Sequence, residues 1–300
     1  MILRVLTVLF LLQVALVATL YWPQQSAPVN RESLLTTIAP DSVNGITLSN
    51  GDGATLVLVR DTDGWRLDIG LPADSNKVDA LLQVLLAKDP GFPIADSDIA
   101  AKRFEVSETE FQRKIILNSS GGQATAYLGS APALRKVHAR REGENAVFVL
   151  PFSSFDAPVD IDSWLDTRLL SQPALSTFTL YGTQYVLREG RWSRSDDQNS
   201  DEDKVTAVAQ VLANLQISGL VDPADDDAAS AGEALRITMG NDEQRSQLAV
   251  LHNPESDRYY LQSERFGKIF STSAYDAERL IEAASALLKN GMSNGTKQSP

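Results

Sequence analysis

The 300-residue chain contains no cysteine. That removes disulfides, thiolate zinc ligands, cysteine nucleophiles and a cysteine-linked lipid anchor together, while leaving the redox compartment open. Histidine is nearly as scarce. His138 and His252 have no second His or Cys at ligand spacing, so each reads as a surface strand or turn residue rather than a metal ligand. Basic residues are outnumbered, 27 Lys and Arg against 39 Asp and Glu, for a formal charge of −12. Nucleic acid binding needs clustered Lys and Arg to release counterions from phosphate, and no such cluster occurs. The acidity also disfavours broad docking on anionic lipid and fits a solvated surface. With 43% hydrophobic and 22% charged residues, the chain has the composition of folded protein and the length of two ordinary domains.

Catalytic signatures are missing as well. No serine sits in a strand-to-helix G-x-S-x-G elbow, and no S-x-x-K pairs a serine with a lysine base. Gly267-Lys268 is followed by Ile269 rather than the Ser or Thr of a phosphate loop, and Gly51 and Gly53 lie between two strand candidates with no helix to hold pyrophosphate. Asp61-Thr62-Asp63-Gly64 lacks the closing Glu of a calcium loop and reads as a hairpin turn. Asp225-Asp226-Asp227 has two readings, a weak cation site or a solvated loop extended by repulsion between its charges; the second is preferred. Paired carboxylates for glycoside hydrolysis are the one enzyme class left open, since separation in space is not visible in sequence. The expectation is a non-enzyme without cofactor.

Charge is also absent from the eighteen positions Val5 to Trp22, which as a helix reach roughly 27 Å, enough to cross a hydrocarbon core. Arg4 precedes them and Tyr21-Trp22 close them at the depth that aromatic rings favour, so the positive-inside rule places the rest of the chain outside the cytoplasm. A cleaved signal peptide is the alternative; its apolar core is normally shorter, and a small-x-small cleavage site is missing before Ala27. Both readings export the body.

What is present is a repeat. Trp65, Lys77, Val78, Gln83, Val84 and Leu85 return as Trp192, Lys204, Val205, Gln210, Val211 and Leu212, each displaced by 127 positions. Phe155-Asp156-Ala157 returns as Tyr275-Asp276-Ala277 at 120. Self-similarity at this period implies duplication of a domain-sized unit. Residues 1–22 then form the transmembrane anchor, 23–40 a polar, proline-containing tether, 41–170 the first unit, 171–289 the second and 290–300 a loose tail.

Each unit reads as α+β, a largely antiparallel sheet with one covering helix. In the first, strands over 46–49, 55–60 and 65–69 precede a helix capped by Asp74 or Ser75, with Val78, Leu81, Leu82 and Leu85 on one face. An irregular stretch rich in Asp and Ala follows, then strands over 111–118, 123–129, 136–141 and 146–150. The second unit replays this with strands over 176–180, 184–188 and 191–194 and a helix over 201–214. An acidic loop over 223–232, strands around Leu235 to Met239, 248–251, 258–262 and 268–271, and a helix over 274–288 complete it. The run Leu56-Val57-Leu58-Val59 suggests a strand buried on both faces. Trp65 and Trp192 read as core anchors; exposed, they could instead stack on sugars. Trp164 and Arg168, four residues apart between the units, read as structural glue. Asn118-Ser119-Ser120 and Asn294-Gly295-Thr296 match the short glycosylation triplet.

Together, the hydrophobic N-terminus, Asp63-Gly64-Trp65-Arg66-Leu67, Pro72-Ala73-Asp74, Ala126-Tyr127-Leu128-Gly129, Val147-Phe148-Val149-Leu150 and the Trp164–Leu170 stretch resemble the bacterial domain of unknown function 4340 family. The resemblance implies an auxiliary component accompanying an ABC-type transport system related to the gliding-motility transporter, with no catalytic residues to carry over. The expected protein is a non-enzymatic subunit, single-pass in the cell inner membrane, whose periplasmic body contacts an ABC permease or ATPase complex. An exported polysaccharide or cell-wall binding module is the alternative.

Overall fold

The computed structural model describes residues 13, 34–35, 38–87, 90–196, 198–240 and 245–293. The expected membrane anchor lies outside them apart from Gln13, as do residues 23–33 and 36–37 of the tether, while Leu34, Leu35 and Ile38 are buried in the core rather than part of a polar linker. Among the described residues no helix is long and apolar enough to cross a membrane.

Turn chemistry starts the first unit. The Asn50 side chain accepts from the backbone N–H groups of Asp52 and Ala54, closing the hairpin between β1 (Val43–Ser49) and β2 (Thr55–Asp61). The Asp61 carboxylate accepts from the N–H of Asp63 at 2.8 Å and turns the chain into β3 (Gly64–Leu67). A helix, α1 (Ser75–Leu85), is capped by Asp74, which accepts from the N–H groups of Asn76 and Lys77. Its stripe of Val78, Leu81, Leu82 and Leu85 is buried. The chain crosses to the far edge as β4 (Ala95–Asp96), makes the short helix α2 (Asp98–Arg103), and returns as a meander of β5 (Arg113–Ser119), β6 (Gly122–Leu128), β7 (Val137–Arg141) and β8 (Ala146–Leu150). The sheet order is β3-β2-β1-β5-β6-β7-β8-β4, with neighbouring strands antiparallel throughout.

The second unit repeats every step. Its elements are β9 (Thr177–Leu180), β10 (Thr183–Arg188), β11 (Arg191–Arg194), α3 (Glu202–Ala213), β12 (Gly219–Leu220), α4 (Asp226–Ala229), β13 (Gly232–Gly240), β14 (Arg245–Asn253), β15 (Arg258–Ser263) and β16 (Lys268–Thr272). The sheet order is β11-β10-β9-β13-β14-β15-β16-β12, the first order with each strand replaced by its counterpart. A last helix, α5 (Ala274–Ser293), packs against α3.

One hydrophobic core runs through both units, from Leu34 to Leu287, and includes Trp65, Trp164 and Trp192. The connecting segment binds to both sides. Toward the first unit, Asp74 N–H donates to the Trp164 carbonyl, Asp166 N–H to the Pro72 carbonyl, and Lys77 Nζ to the Ser163 carbonyl at 2.7 Å. Toward the second, Ile217 N–H donates to the Thr167 carbonyl, Gln172 N–H to the Leu212 carbonyl, and Leu220 N–H to Asp162 Oδ1 at 2.7 Å. Trp164 is buried, its Nε1–H donating to the Pro158 carbonyl. Arg168 is exposed, so the expected glue is Trp164 and backbone hydrogen bonds rather than a Trp–Arg pair.

Four expectations need correction. β3 stops at Leu67 rather than Ile69, because Gly70, at φ +83°, turns the chain back so that Leu67 N–H reaches the Leu71 carbonyl. In β2 only Leu56 and Leu58 are buried, while Val59 is 47% exposed. Burial on both faces belongs instead to β6, from Ala124 to Leu128, and β14, from Leu248 to Leu251. There α2 and α4, too short to leave a periodicity, cover the outer face in stretches that read as irregular and as acidic loop. Finally, α5 continues to Ser293, past Asn290 where the loose tail was expected to begin; a single glycine such as Gly291 weakens a helix without ending it.

Candidate functional site

Following strand register outward from Trp65 and Trp192 equates Ile115 with Ile237, Tyr127 with Ala249, Arg140 with Gln262 and Val147 with Ile269. On the outer face of each sheet these equivalent positions meet different fates. In the first unit the segment after α2 crosses the sheet and places Phe104, Val106 and Phe111 around Tyr127. The Phe111 and Tyr127 rings lie 5.5 Å apart, and the Arg140 guanidinium stands 5.1 Å from the Tyr127 ring. Arg140 is 6% exposed and donates from Nε to the Val106 carbonyl at 2.6 Å and from a terminal nitrogen to the Glu144 carbonyl at 2.7 Å. The Tyr127 hydroxyl donates to Glu142 at 2.8 Å, and this bond is the main cause holding the Glu142 carboxyl below its usual range. Burial, then the Glu142 charge, pushes the Tyr127 phenol up.

In the second unit that covering segment is missing. Sixteen positions separate the Ser97 cap of α2 from Arg113, but only ten separate the Asp225 cap of α4 from the equivalent Leu235. The aromatic ring and guanidinium are missing too, replaced by Ala249 and Gln262. The result is an open groove of about 710 Å³. Ala249, Ala228 and Ile269 supply apolar lining, while Asp222, Asp225 and Glu264 face Arg236 and Lys268 around it.

One wall of the groove is fixed by the acidic run. Asp225 caps α4 by accepting from the N–H groups of Asp227 and Ala228. Asp227 accepts from Tyr260 Oη, from Ser256 Oγ at 3.0 Å and from Asn253 Nδ2 at 2.8 Å, with Arg258 3.7 Å away. The Tyr260 and Ser256 hydroxyls hold the Asp227 carboxyl below its usual range. The extended, solvated loop expected at 225–227 is therefore an anchored helical turn. The Asp225 and Asp227 carboxylates are engaged by backbone, amide and hydroxyl donors, and among the described residues no three His, Cys, Asp or Glu side chains gather as a metal site. Arg236 is held by Glu233 and by Gln247 Oε1 at 2.9 Å.

The other sequence candidates lie elsewhere. His138 is buried, a correction to its surface reading: Ser130 Oγ is 3.1 Å from Nδ1 and the Phe104 ring lies tilted against it with centroids 4.2 Å apart. Burial pushes its imidazole down. His252 is half-buried, stacked on Tyr259 at 4.2 Å with Asp257 3.1 Å from Nε2. Trp65 and Trp192 are 3% and 9% exposed, core anchors as expected. Arg66 ties the Asp61–Gly64 turn through both Asp61 and Asp63. The first three residues of the G-x-S-x-G pattern Gly291–Gly295 lie in α5, which is not the strand-to-helix setting of an elbow. Asn118 is a half-buried residue of β5; Asn294 lies outside the described residues. Sequence reasoning missed the groove. Its one available signal was the fall in repeat displacement from 127 to 120, five residues of which are lost before β13 and two after β16.

No curated protein and no solved structure was found to match the chain. Residues 65–233, from Trp65 in β3 through the connecting segment to Glu233 in β13, match the family model described as a domain of unknown function (DUF4340), and the chain belongs to that family.

Proposed function

We propose that this protein is a non-enzymatic auxiliary subunit of an ABC-type transport system, tethered to the membrane by its N-terminal apolar stretch with its body outside the cytoplasm. The observation that carries the reading is the pairing of two units on one continuous core, one outer sheet face crossed by the segment 104–112 and the equivalent face covered by a shorter segment that leaves a groove beside α4. Such a platform offers a docking surface. The eighteen uncharged positions before Pro23 support the membrane setting. Affinity purification from detergent-solubilised membranes tests it: a permease and an ATPase co-purify with the full chain, and their absence under conditions that preserve known transporters overturns the assignment.

A second reading, an exported binder of polysaccharide or cell wall, draws on one observation. Phe155 and Tyr275, equivalent in the repeat, are 85% and 66% exposed, whereas the tryptophans once available for sugar stacking are buried. Retention on peptidoglycan that falls at least tenfold in the Phe155→Ala, Tyr275→Ala double variant would favour this second reading.

A further inference from the structure

We infer that the groove between α4 and β14 is a docking site for an extended protein segment carrying an aromatic side chain and flanked by basic residues. The first unit supplies the template. At the same place in the same topology, the segment 104–112 lies across the outer sheet face and the Tyr127 ring fills the space over β6. The second unit keeps the apolar lining in Ala228 and Ile269, keeps the acid equivalent to Glu142 in Glu264, and substitutes alanine where the ring stood. Glu142 N–H donates to the Thr125 carbonyl, and Glu264 N–H to the equivalent Gln247 carbonyl, so the two frames coincide at the rim. Ala249 and Ala228 are already packed on each other beneath α4, so an aromatic ring would lie beside them over the half-buried Ile269 and the exposed Gln262.

Charge chooses the flanks. Asp222, Asp225 and Glu264 outnumber Arg236 and Lys268, Arg236 is already held by Glu233, and the whole chain carries −12. A basic segment is steered to such a surface and an acidic one repelled. The path of the occupant differs from that of the first unit's own segment. The first unit needs Gly129 beneath the crossing segment, since an added Cβ would stand 2.0 Å from the Phe104 carbonyl oxygen. The second unit has Leu251 there, so its occupant cannot follow the backbone path of Phe104 and Glu105 and lies instead beside α4, toward Gln262 and Ile269. This inference deepens the docking role proposed above by naming its surface and chemistry, and it does not depend on whether the partner belongs to a transporter.

The probe is a synthetic peptide of residues 104–112 carrying Glu105→Lys, Glu108→Lys and Glu110→Lys, titrated by fluorescence anisotropy into the full chain in detergent. Saturable binding is expected, weakened at least tenfold when both phenylalanines of the peptide become alanine. It should weaken at least tenfold again when the protein carries Ala249→Tyr, which rebuilds the ring of the first unit. Ala229→Lys, on the exposed end of α4, is the second variant should Ala249→Tyr fail to fold; it too should weaken binding tenfold. Absence of binding, or binding indifferent to the phenylalanines or to the folded groove variants, overturns the inference. So does a groove that takes peptidoglycan fragments or a second copy of the chain and not the peptide. Failure of the full chain to bind the peptide while it still co-purifies a transporter would sink the groove and leave the subunit role standing.

Discussion

Gly129 in the first unit and Leu251 in the second occupy the same place in their sheets, one residue beyond the equivalent strand positions Leu128 and Val250. The Gly129 N–H donates to the His138 carbonyl, and Leu251 pairs with Tyr260, the residue equivalent to His138. Over Gly129 lie the Phe104 and Glu105 carbonyls; Leu251 instead packs with Ala249 and Tyr260 in the small core beneath α4. A duplicated position thus takes opposite side-chain demands because one copy of the covering segment is shorter.

Gly129→Ala is therefore expected to destabilise the protein by about 2 to 3 kcal/mol, the cost of overpacking against backbone that cannot rotate away. The cause is space rather than conformation, because no left-handed φ is needed at this glycine. Leu251→Ala should cost a similar amount, about 2 to 3 kcal/mol, for the opposite reason, a cavity. Urea unfolding of both variants checks the pair, and a neutral Gly129→Ala would mean that the 104–106 segment does not cross the sheet there.

Trp65→Ala and Trp192→Ala should each cost about 3 to 5 kcal/mol, since both rings lie in the shared core. Trp192 also meets the Phe178 ring at 5.3 Å. Because the core is continuous, either change should lower a single cooperative transition instead of melting one unit alone. Two resolved calorimetric transitions in Trp65→Ala would contradict one core.

The duplication, the three long helices, Asp74 as one of two candidate caps for α1 and most strands were legible because period-2 and period-3.6 patterns are long there and glycine turns separate the strands. Val78, Leu81, Leu82 and Leu85 declare a buried face without help from any other part of the chain. β4, β12, α2 and α4 were not legible. Two-residue edge strands and helices of four to six residues exist through tertiary partners, such as Val147 for Ala95 and Tyr260 for Asp227, that no local window contains. The groove was hidden for a further reason. It is defined by Ala249 and Gln262 lacking what Tyr127 and Arg140 possess, and a difference between copies shows only when register aligns them.

At the junction, Lys77→Met should loosen the connecting segment, removing the ammonium that donates to the Ser163 carbonyl at 2.7 Å. Asp162→Ala removes the acceptor for Leu220 N–H on the other side. Each is expected to cost about 1 to 2 kcal/mol, toward the low end for a hydrogen bond to a charged group because Lys77 and Asp162 are exposed to solvent screening. The equivalent Lys204→Met should cost less, because Lys204 meets only its own cap, Asp201, at 3.7 Å on the surface. Limited proteolysis should cut Lys77→Met faster than the parent within 158–172 and leave Lys204→Met unchanged.

Acid should unfold the protein in two stages. Burial lowers His138 from its ordinary 6.5, so the unfolded chain binds a proton that the folded chain refuses, and stability falls as pH drops below about 6.5. Glu142 and Asp227 are lowered from 4.5 and 3.8 by the hydroxyls of Tyr127 and Tyr260, so their contribution is complete above those values and is lost as pH falls through the depressed ones. His138→Phe, which keeps a ring against Phe104, should flatten the urea midpoint between about pH 7 and pH 5 while leaving the lower stage intact. Tyr260→Phe should do the reverse, shrinking the lower stage by restoring Asp227 toward its ordinary value. A His138→Phe variant with the parent slope between pH 7 and pH 5 would show that the imidazole takes up its proton in place, beneath Phe104, without opening the face that the first unit covers for itself.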